Sequence, residues 1–279
     1  MSTAVSTPKA GRIELDDIAI HLPGKVRFEA VRNITTTIAG GEFVSIIGPS
    51  GCGKSTLLNA VAGYLQPSSG HLRVDGEAVS GPGSDRGMVF QHHSLLPWRT
   101  ALDNVAFGLK MSGVGRRERR ERAEEFLQLV GLRGFSDRYP AQLSGGMQQR
   151  VEIARVLINN PRVVLMDEPF GALDAQTRER MQQLLLDIWG RLQPTVLFVT
   201  HDIDEALVLS DRVLVMTHRP GRIREEIAVD LPRRRPEDIT VSPEFIALKK
   251  RCLALVQDEV RRSLVGGLEA PRIELPVEA

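Results

Sequence analysis

Gly48-Pro49-Ser50-Gly51-Cys52-Gly53-Lys54-Ser55 sets a glycine, four residues, then glycine-lysine-serine, the pattern of a loop that cradles phosphates. Glycines let the backbone bend so that successive N–H groups point inward at a polyphosphate, and a helix starting there adds its positive end. Lys54 would reach the β- and γ-phosphates and the Ser55 hydroxyl would ligate Mg2+, so that Gly48 through Thr56 forms one candidate nucleotide-binding run. Downstream, Val163-Val164-Leu165-Met166-Asp167-Glu168 is an apolar run ending in two carboxylates. Asp167 can hold the magnesium, directly or through water, and Glu168 can polarise the water that attacks a γ-phosphate. Acidic residues also mark where any buried strand emerges, and it is the upstream loop that makes these two a metal ligand and a base.

Such a loop needs a strand before it and a helix after it. Phe43–Ile47 supplies the first, and Thr56-Leu57-Leu58-Asn59-Ala60 the second. Val163–Asp167, Val196–Thr200 and Arg212–Met216 are further strands, mostly continuous apolar runs as expected of a buried parallel sheet. Ile13–Ile20 and Val26–Ile38 are expected as antiparallel strands joined at Leu22-Pro23-Gly24. The fold class is therefore α/β, a parallel core flanked by an antiparallel β layer. From about Pro97 to Asn159 helical patterns follow one another without a strand. Ala123, Phe126, Leu127 and Val130 make one apolar stripe, and Met181, Leu184, Leu185 and Ile188 a later one. The arginines at 116, 117, 119, 120 and 122, interleaved with glutamates, are expected to form a solvated helix face.

The chain has 279 residues, 42% hydrophobic and 25% charged, enough to bury a sizeable core. Lys plus Arg is 36 against 35 Asp plus Glu, a net charge of +1 that gives no global electrostatic case for nucleic acid or an anionic membrane as a partner and leaves open only a local basic patch. Apolar runs such as Val163–Met166 are far shorter than the roughly 20 residues of a membrane span. Cys52 and Cys252 form no CxxC pair, which argues against a disulfide framework or a structural zinc and fits a reducing cytosol. Residues 1–11 are a Ser/Thr-rich lead-in without the apolar segment of a secretory signal, expected to be disordered. The main domain spans 12–231. Residues 232–279 start as a linker, Pro232-Arg233-Arg234-Arg235-Pro236, continue as an amphipathic helix carrying Phe245, Leu248, Cys252 and Leu255, and end in a tail frayed from Gly266.

Between the two phosphate motifs stands Leu143-Ser144-Gly145-Gly146-Met147-Gln148-Gln149-Arg150. Physically it is a capped helix N-terminus with exposed amides. In that position it resembles the signature motif of ATP-binding cassette (ABC) ATPases. Gln91 resembles that family's Q-loop glutamine, Gly171-Ala172-Leu173-Asp174 its D-loop and His201 its switch histidine. The resemblance covers about Ile13 to Val229 and implies a cassette fold with an inserted all-helical subdomain at about 97–159. It implies ATP hydrolysis with Glu168, His201 and Gln91 as catalytic residues, and Mg2+ held by Ser55, Asp167 and Gln91. It further implies a head-to-tail dimer of two copies, in which Ser144, Gly145, Gly146 and Gln148 serve the ATP of the other copy and Asp174 communicates across the interface.

Gly81-Pro82-Gly83-Ser84-Asp85-Arg86-Gly87, Leu95-Leu96-Pro97-Trp98 and Asp167 through Asp174 resemble a narrower group, the nitrate/sulfonate/taurine-type importer ATPases of bacteria. That likeness implies a peripheral subunit on the cytoplasmic face of the inner membrane, energising uptake of a small anion. Its partners would be transmembrane permease subunits and, indirectly, an extracytoplasmic substrate-binding protein. Leu95, Leu96 and Trp98 are expected to form much of the socket for the permease. A soluble cassette ATPase acting on chromosomes, DNA lesions or ribosomes would carry tandem cassettes or long heptads; one phosphate loop and no sustained heptads argue against it. A P-loop kinase would not need the Ser144-Gly145-Gly146 segment. Two departures stand out. Leu22 holds the place where the family usually stacks an aromatic on adenine, with Phe28 or His21 as substitutes or the base held loosely. Cys52 lies beside Lys54, which favours a thiolate whose alkylation would block hydrolysis.

Overall fold

The computed structural model describes residues 10–22, 28–91, 94–232, 235 and 238–268, the last five by backbone alone. Ten strands form two sheets among the described residues. The larger is built on β3 (Phe43–Ile47), β6 (Arg86–Val89), β7 (Val163–Asp167), β8 (Thr195–Val199), β9 (Arg212–Met216) and β10 (Ile223–Ala228), in the order β10-β9-β3-β8-β7-β6. All five residues of β3 and of β8 are buried, which is why these segments read as unbroken apolar runs. Pairing is parallel from β9 to β6 and antiparallel only at the β10 edge.

Register decides function here. Ile46 pairs with Val199, Asp167 with Val199 and Met166 with Val89, so the C-terminal ends of β3, β8, β7 and β6 lie abreast at one edge of the sheet. Ligand sites of open α/β sheets form outside that edge. The next residues to leave it are the phosphate loop, His201, Glu168 and Gln91. Beneath them Phe43, Phe170, Phe198 and Trp189 form a chain of aromatic rings, each neighbouring pair at 5.9 Å between centroids.

The second sheet runs β2-β1-β4-β5, with β1 (Ile13–Leu22), β2 (Phe28–Ile38), β4 (Ser69–Val74) and β5 (Glu77–Ala78) all antiparallel. Pro23, Gly24 and Val26 of the expected turn and strand start lie outside the described residues. The expected strand at 196–200 sits one residue earlier, because Thr195 pairs with Val163 while the Thr200 hydroxyl turns to Glu205. The short strands β4, β5, β6 and β10 escape a periodicity reading. Only Leu72 and Val74 of β4 carry an inward alternation, and β6 is four residues paired to β7 alone.

Helix α1 (Lys54–Ala62) follows the phosphate loop. Between β6 and β7 come α2 (Ala101–Val105), α3 (Phe107–Met111), α4 (Arg116–Leu129) and α5 (Gly145–Leu157), with no strand among the described residues there. Ala123, Leu127 and Val130 are buried and Phe126 packs beside them. Asn104, fully buried, ties the preceding loop down: its Oδ1 accepts the Leu96 N–H at 2.8 Å and its Nδ2 donates to the carbonyls of Leu96, Arg99 and Thr100. After β7 run α6 (Ala175–Leu192) and α7 (Ile203–Leu209). The C-terminal helix α8 (Pro243–Leu268) extends past Gly266, where fraying was expected, and packs on α7 and β9. Phe245 and Cys252 are buried there, and Lys249 bonds Asp204 at 2.6 Å. Among the described residues no helix is long and apolar enough to cross a membrane.

Candidate functional site

The phosphate loop closes on itself. The Lys54 ammonium, 7% exposed, donates to the carbonyls of Gly48 at 2.9 Å and Pro49 at 3.0 Å. Gly53 caps α1 with φ 99°, and a Cβ there would stand 2.7 Å from Val31 Cγ2, so glycine is required both by conformation and by space. Gly221, in the turn after β9, lies against the loop from behind: a Cβ on it would meet the Cys52 carbonyl at 1.9 Å. That turn is pinned by hydrogen bonds from the Gly221 N–H to Ala30 O and from the Arg32 N–H to Gly221 O, each 2.9 Å.

Ser55 Oγ donates to Asp167 Oδ1 at 2.9 Å, joining the loop to the end of β7. Burial raises the Asp167 carboxyl above its ordinary value; the Ser55 hydrogen bond opposes this, and the Glu168 charge adds to it. Glu168 leaves β7 with φ 43°, an uncommon conformation for a non-glycine residue, fixed by its N–H donating to Val199 O at 2.9 Å. Its Oε2 lies 3.1 Å from His201 Nδ1 and accepts from Gln91 Nε2 at 3.4 Å. The three residues named as catalytic thus meet on one carboxylate oxygen, next to the loop that would hold the phosphates.

The glycine-rich segment after Leu143 stands apart from this cluster. Ser144 is the N-cap of α5, its Oγ accepting from the Met147 N–H at 3.3 Å. None of the hydrogen bonds that join Gln91, Glu168 and His201 reaches it among the described residues. Gln148, expected to serve a nucleotide, spends its side-chain amide on Pro140 O at 3.0 Å and Leu143 O at 3.1 Å, and so holds the approach to α5. Asp174 caps α6 by accepting from the Thr177 N–H at 2.9 Å, and hydrogen bonds from the Thr177 side chain and then its backbone lower the Asp174 carboxyl below the ordinary range. Arg178 ties this turn to the loop after β8, donating to Leu173 O at 2.9 Å and lying 3.6 Å from Asp202.

Two expectations need correction. Cys52 is 1% exposed, and burial raises its thiol above the ordinary value, with the nearby Lys54 charge opposing this, so its surroundings disfavour the thiolate. Leu95 is 9% exposed and belongs to the helical core, so it supports the surface from below and does not line it. Trp98 is 71% exposed and Leu96 is half-buried. Sequence reasoning missed Arg219. Its guanidinium lies 4.4 Å from the centroid of the Phe28 ring and donates to Gly51 O at 3.2 Å, while Phe28 pairs across the sheet with Leu22. The only local signal was the turn composition Arg219-Pro220-Gly221.

A family model described as ABC transporter matches residues 31–171. The chain belongs to the ABC transporter family. It is 51% identical over 234 residues to the nitrate import ATP-binding protein NrtD of Synechocystis, covering 82% of this chain and 88% of that one. To the taurine import ATP-binding protein TauB of Rhizobium johnstonii it is 52% identical over 232 residues, covering 81% and 88%. A dimeric ATP-binding cassette solved in a post-hydrolysis state with ADP and Pi superposes with TM-score 0.70 at 36% identity, over 79% of this chain and all of that one. This ABC protein is an ATP-hydrolysing subunit with the cassette fold, its parallel core carrying the site and an antiparallel sheet alongside.

Proposed function

We propose that the chain is the energising subunit of an importer for a small anion such as a sulfonate, taurine or nitrate, working with permease subunits at the cytoplasmic face of the inner membrane and fed by an extracytoplasmic binding protein. Identity near one half to nitrate and taurine import ATP-binding proteins supports the substrate class. The observation that carries the mechanism is the meeting of Gln91, His201 and Glu168 on one oxygen, beside Lys54 and Ser55. Glu168 accepts a proton from the attacking water, His201 and Gln91 hold that carboxylate in place, and Lys54 turns from its loop carbonyls to the phosphates.

Ser55 Oγ and Asp167 Oδ1, two hard oxygen donors 2.9 Å apart, fit Mg2+, and Gln91 stands on the same edge. Bound with ATP, the ion would neutralise charge on the β- and γ-phosphate oxygens. Ser144, Gly145 and Gly146 form the N-terminus of α5 and share no hydrogen bond with Gln91, Glu168 or His201 among the described residues, which supports their serving ATP held by a second copy in a head-to-tail dimer. Half-buried Leu96 and exposed Trp98, on the loop held by Asn104, are the permease-facing residues in this reading.

The test compares the parent with Glu168→Gln by ATPase rate and by size-exclusion mass in Mg-ATP. Hydrolysis is expected to fall by about 10²–10⁴-fold, while the variant accumulates as an ATP-held dimer. A variant that keeps parental turnover removes Glu168 from the base role.

A further inference from the structure

The arginine-rich start of α4 divides into two faces. Arg117 bonds Glu121 at 2.7 Å and Arg122 lies 3.7 Å from Glu118, the solvated i,i+4 pairs expected of such a sequence. Arg116, Arg119 and Arg120 sit at the i, i+3, i+4 positions of another face, and no described carboxylate pairs with them. They line a pocket of about 300 Å³ together with Arg99 and Lys110, against one acidic side chain, Asp103. Five cations therefore face one carboxylate in a space that holds a small oxyanion. Arg99 anchors the floor: its guanidinium lies 5.0 Å from the centroid of the Phe107 ring, and its Nε is buried with no hydrogen-bond partner among the described residues. A buried donor left unpaired is costly, so Arg99 carries hydrogen-bonding capacity that the described residues do not use. Trp98 and Met111, 71% and 70% exposed, are the sequence neighbours of the lining residues Arg99 and Lys110. Exposed apolar side chains next in sequence to the lining of a cationic pocket match the boundary between water and a lipid headgroup layer.

We propose that this pocket is a binding site for a phosphate group, supplied by the headgroup of an anionic phospholipid or by phosphate free in solution. Guanidinium groups recognise phosphate oxygens in bidentate fashion, and Lys110 adds a point charge. The lipid source rests on the permease-facing reading of Trp98, whereas phosphate recognition does not.

Lys110, Arg116 and Arg120 are exposed, so the triple variant Lys110→Gln/Arg116→Gln/Arg120→Gln leaves the Arg99–Phe107 stack and the helical core in place. Sedimentation with vesicles of phosphatidylcholine, alone or with part replaced by phosphatidylglycerol, reads the lipid source; calorimetric titration with inorganic phosphate reads the free one. The parent is expected to bind only the vesicles containing phosphatidylglycerol, and the triple variant to lose about a hundredfold in partitioning. Arg117→Gln/Arg122→Gln, which removes charge from the paired face, should change partitioning by less than about threefold. Phosphate binding without vesicle binding, weakened at least about tenfold in the triple variant, supports the free anion as source and leaves only the lipid assignment refuted. Absence of binding in both arms, or equal loss in the triple and the paired-face variants, overturns the proposal. Parental ATPase activity in the triple variant keeps either failure separate from a failure of the hydrolytic site.

Discussion

The imidazole Nδ1 of His201 stands 3.1 Å from Oε2 of Glu168, though 33 residues separate them. The contact exists because β7 and β8 are parallel neighbours in register, so the residues that follow Asp167 and Thr200 leave the sheet side by side. In the proposed mechanism His201 positions the base. Replacing it with Ala should lower kcat by about 10²–10³-fold and leave KM for ATP within about threefold. Steady-state kinetics decide the matter, and a rise in KM at unchanged kcat would mean that His201 only binds.

Gly146 lies where a Cβ would approach Thr177 Cγ2 to 2.8 Å. Gly146→Ala is expected to lower both thermal stability and ATPase rate. Adding Thr177→Ser removes the crowding methyl and should restore Tm. If hydrolysis stays low after Tm recovers, the amide surface of α5 serves nucleotide; if both recover together, the glycine is there for packing alone.

Phe28 and Arg219 stack at the mouth of the phosphate loop, across from Leu22. With an aliphatic residue at Leu22, this pair is a candidate surface for the base. Phe28→Ala should raise KM for ATP roughly tenfold, in line with about 1–3 kcal/mol for base stacking. The same rise for GTP marks stacking without base selectivity. Unchanged KM for both nucleotides would remove Phe28 from the site.

Glu205 is 4% exposed, and burial raises its carboxyl above the ordinary 4.5, opposed by hydrogen bonds from Thr200 and Gln182. A carboxyl that ionises later in the folded chain than in the unfolded one makes the native state the better proton binder between the two values. Stability therefore falls as pH rises through that interval, and the deficit persists above it. Glu205→Gln, which keeps an acceptor for Thr200, should melt at a higher temperature than the parent at neutral pH. The gap should close as pH drops below about 4. A variant less stable at every pH would show that the carboxylate's hydrogen bonds outweigh its burial.

Both cysteines are sheltered: Cys252 is fully buried and its thiol is pushed up to about 11, and Cys52 shifts in the same direction. Iodoacetamide at neutral pH should modify the native chain at least about tenfold more slowly than the denatured chain, with or without Mg-ATP. Mass spectrometry of timed samples reads this directly. Rapid native labelling at Cys52, slowed by nucleotide, would reinstate a reactive thiolate.

Local spacing determined the phosphate loop, the helix cap at Ser144 and the carboxylates at the end of Val163–Asp167, whereas Gln91, Asp174 and His201 stood out only through a family resemblance. These signals are short-range: a glycine that must bend the chain, a cap that must precede a helix, and an apolar run that must be buried on both faces. The tertiary structure alone decided which of these residues meet. Parallel register gathered Gln91, Glu168 and His201 and kept Ser144 apart. Burial overruled composition at Cys52, whose neighbouring lysine promised a thiolate, and at Leu95, whose neighbour Trp98 is exposed. Helix phase split one arginine cluster into a neutralised face and a cationic pocket, and the turn at Arg219 reached Phe28 across a distance in sequence that no periodicity spans. Desolvation and proximity between distant segments depend on how the elements stack, and for that reason neither can be read from the order of residues.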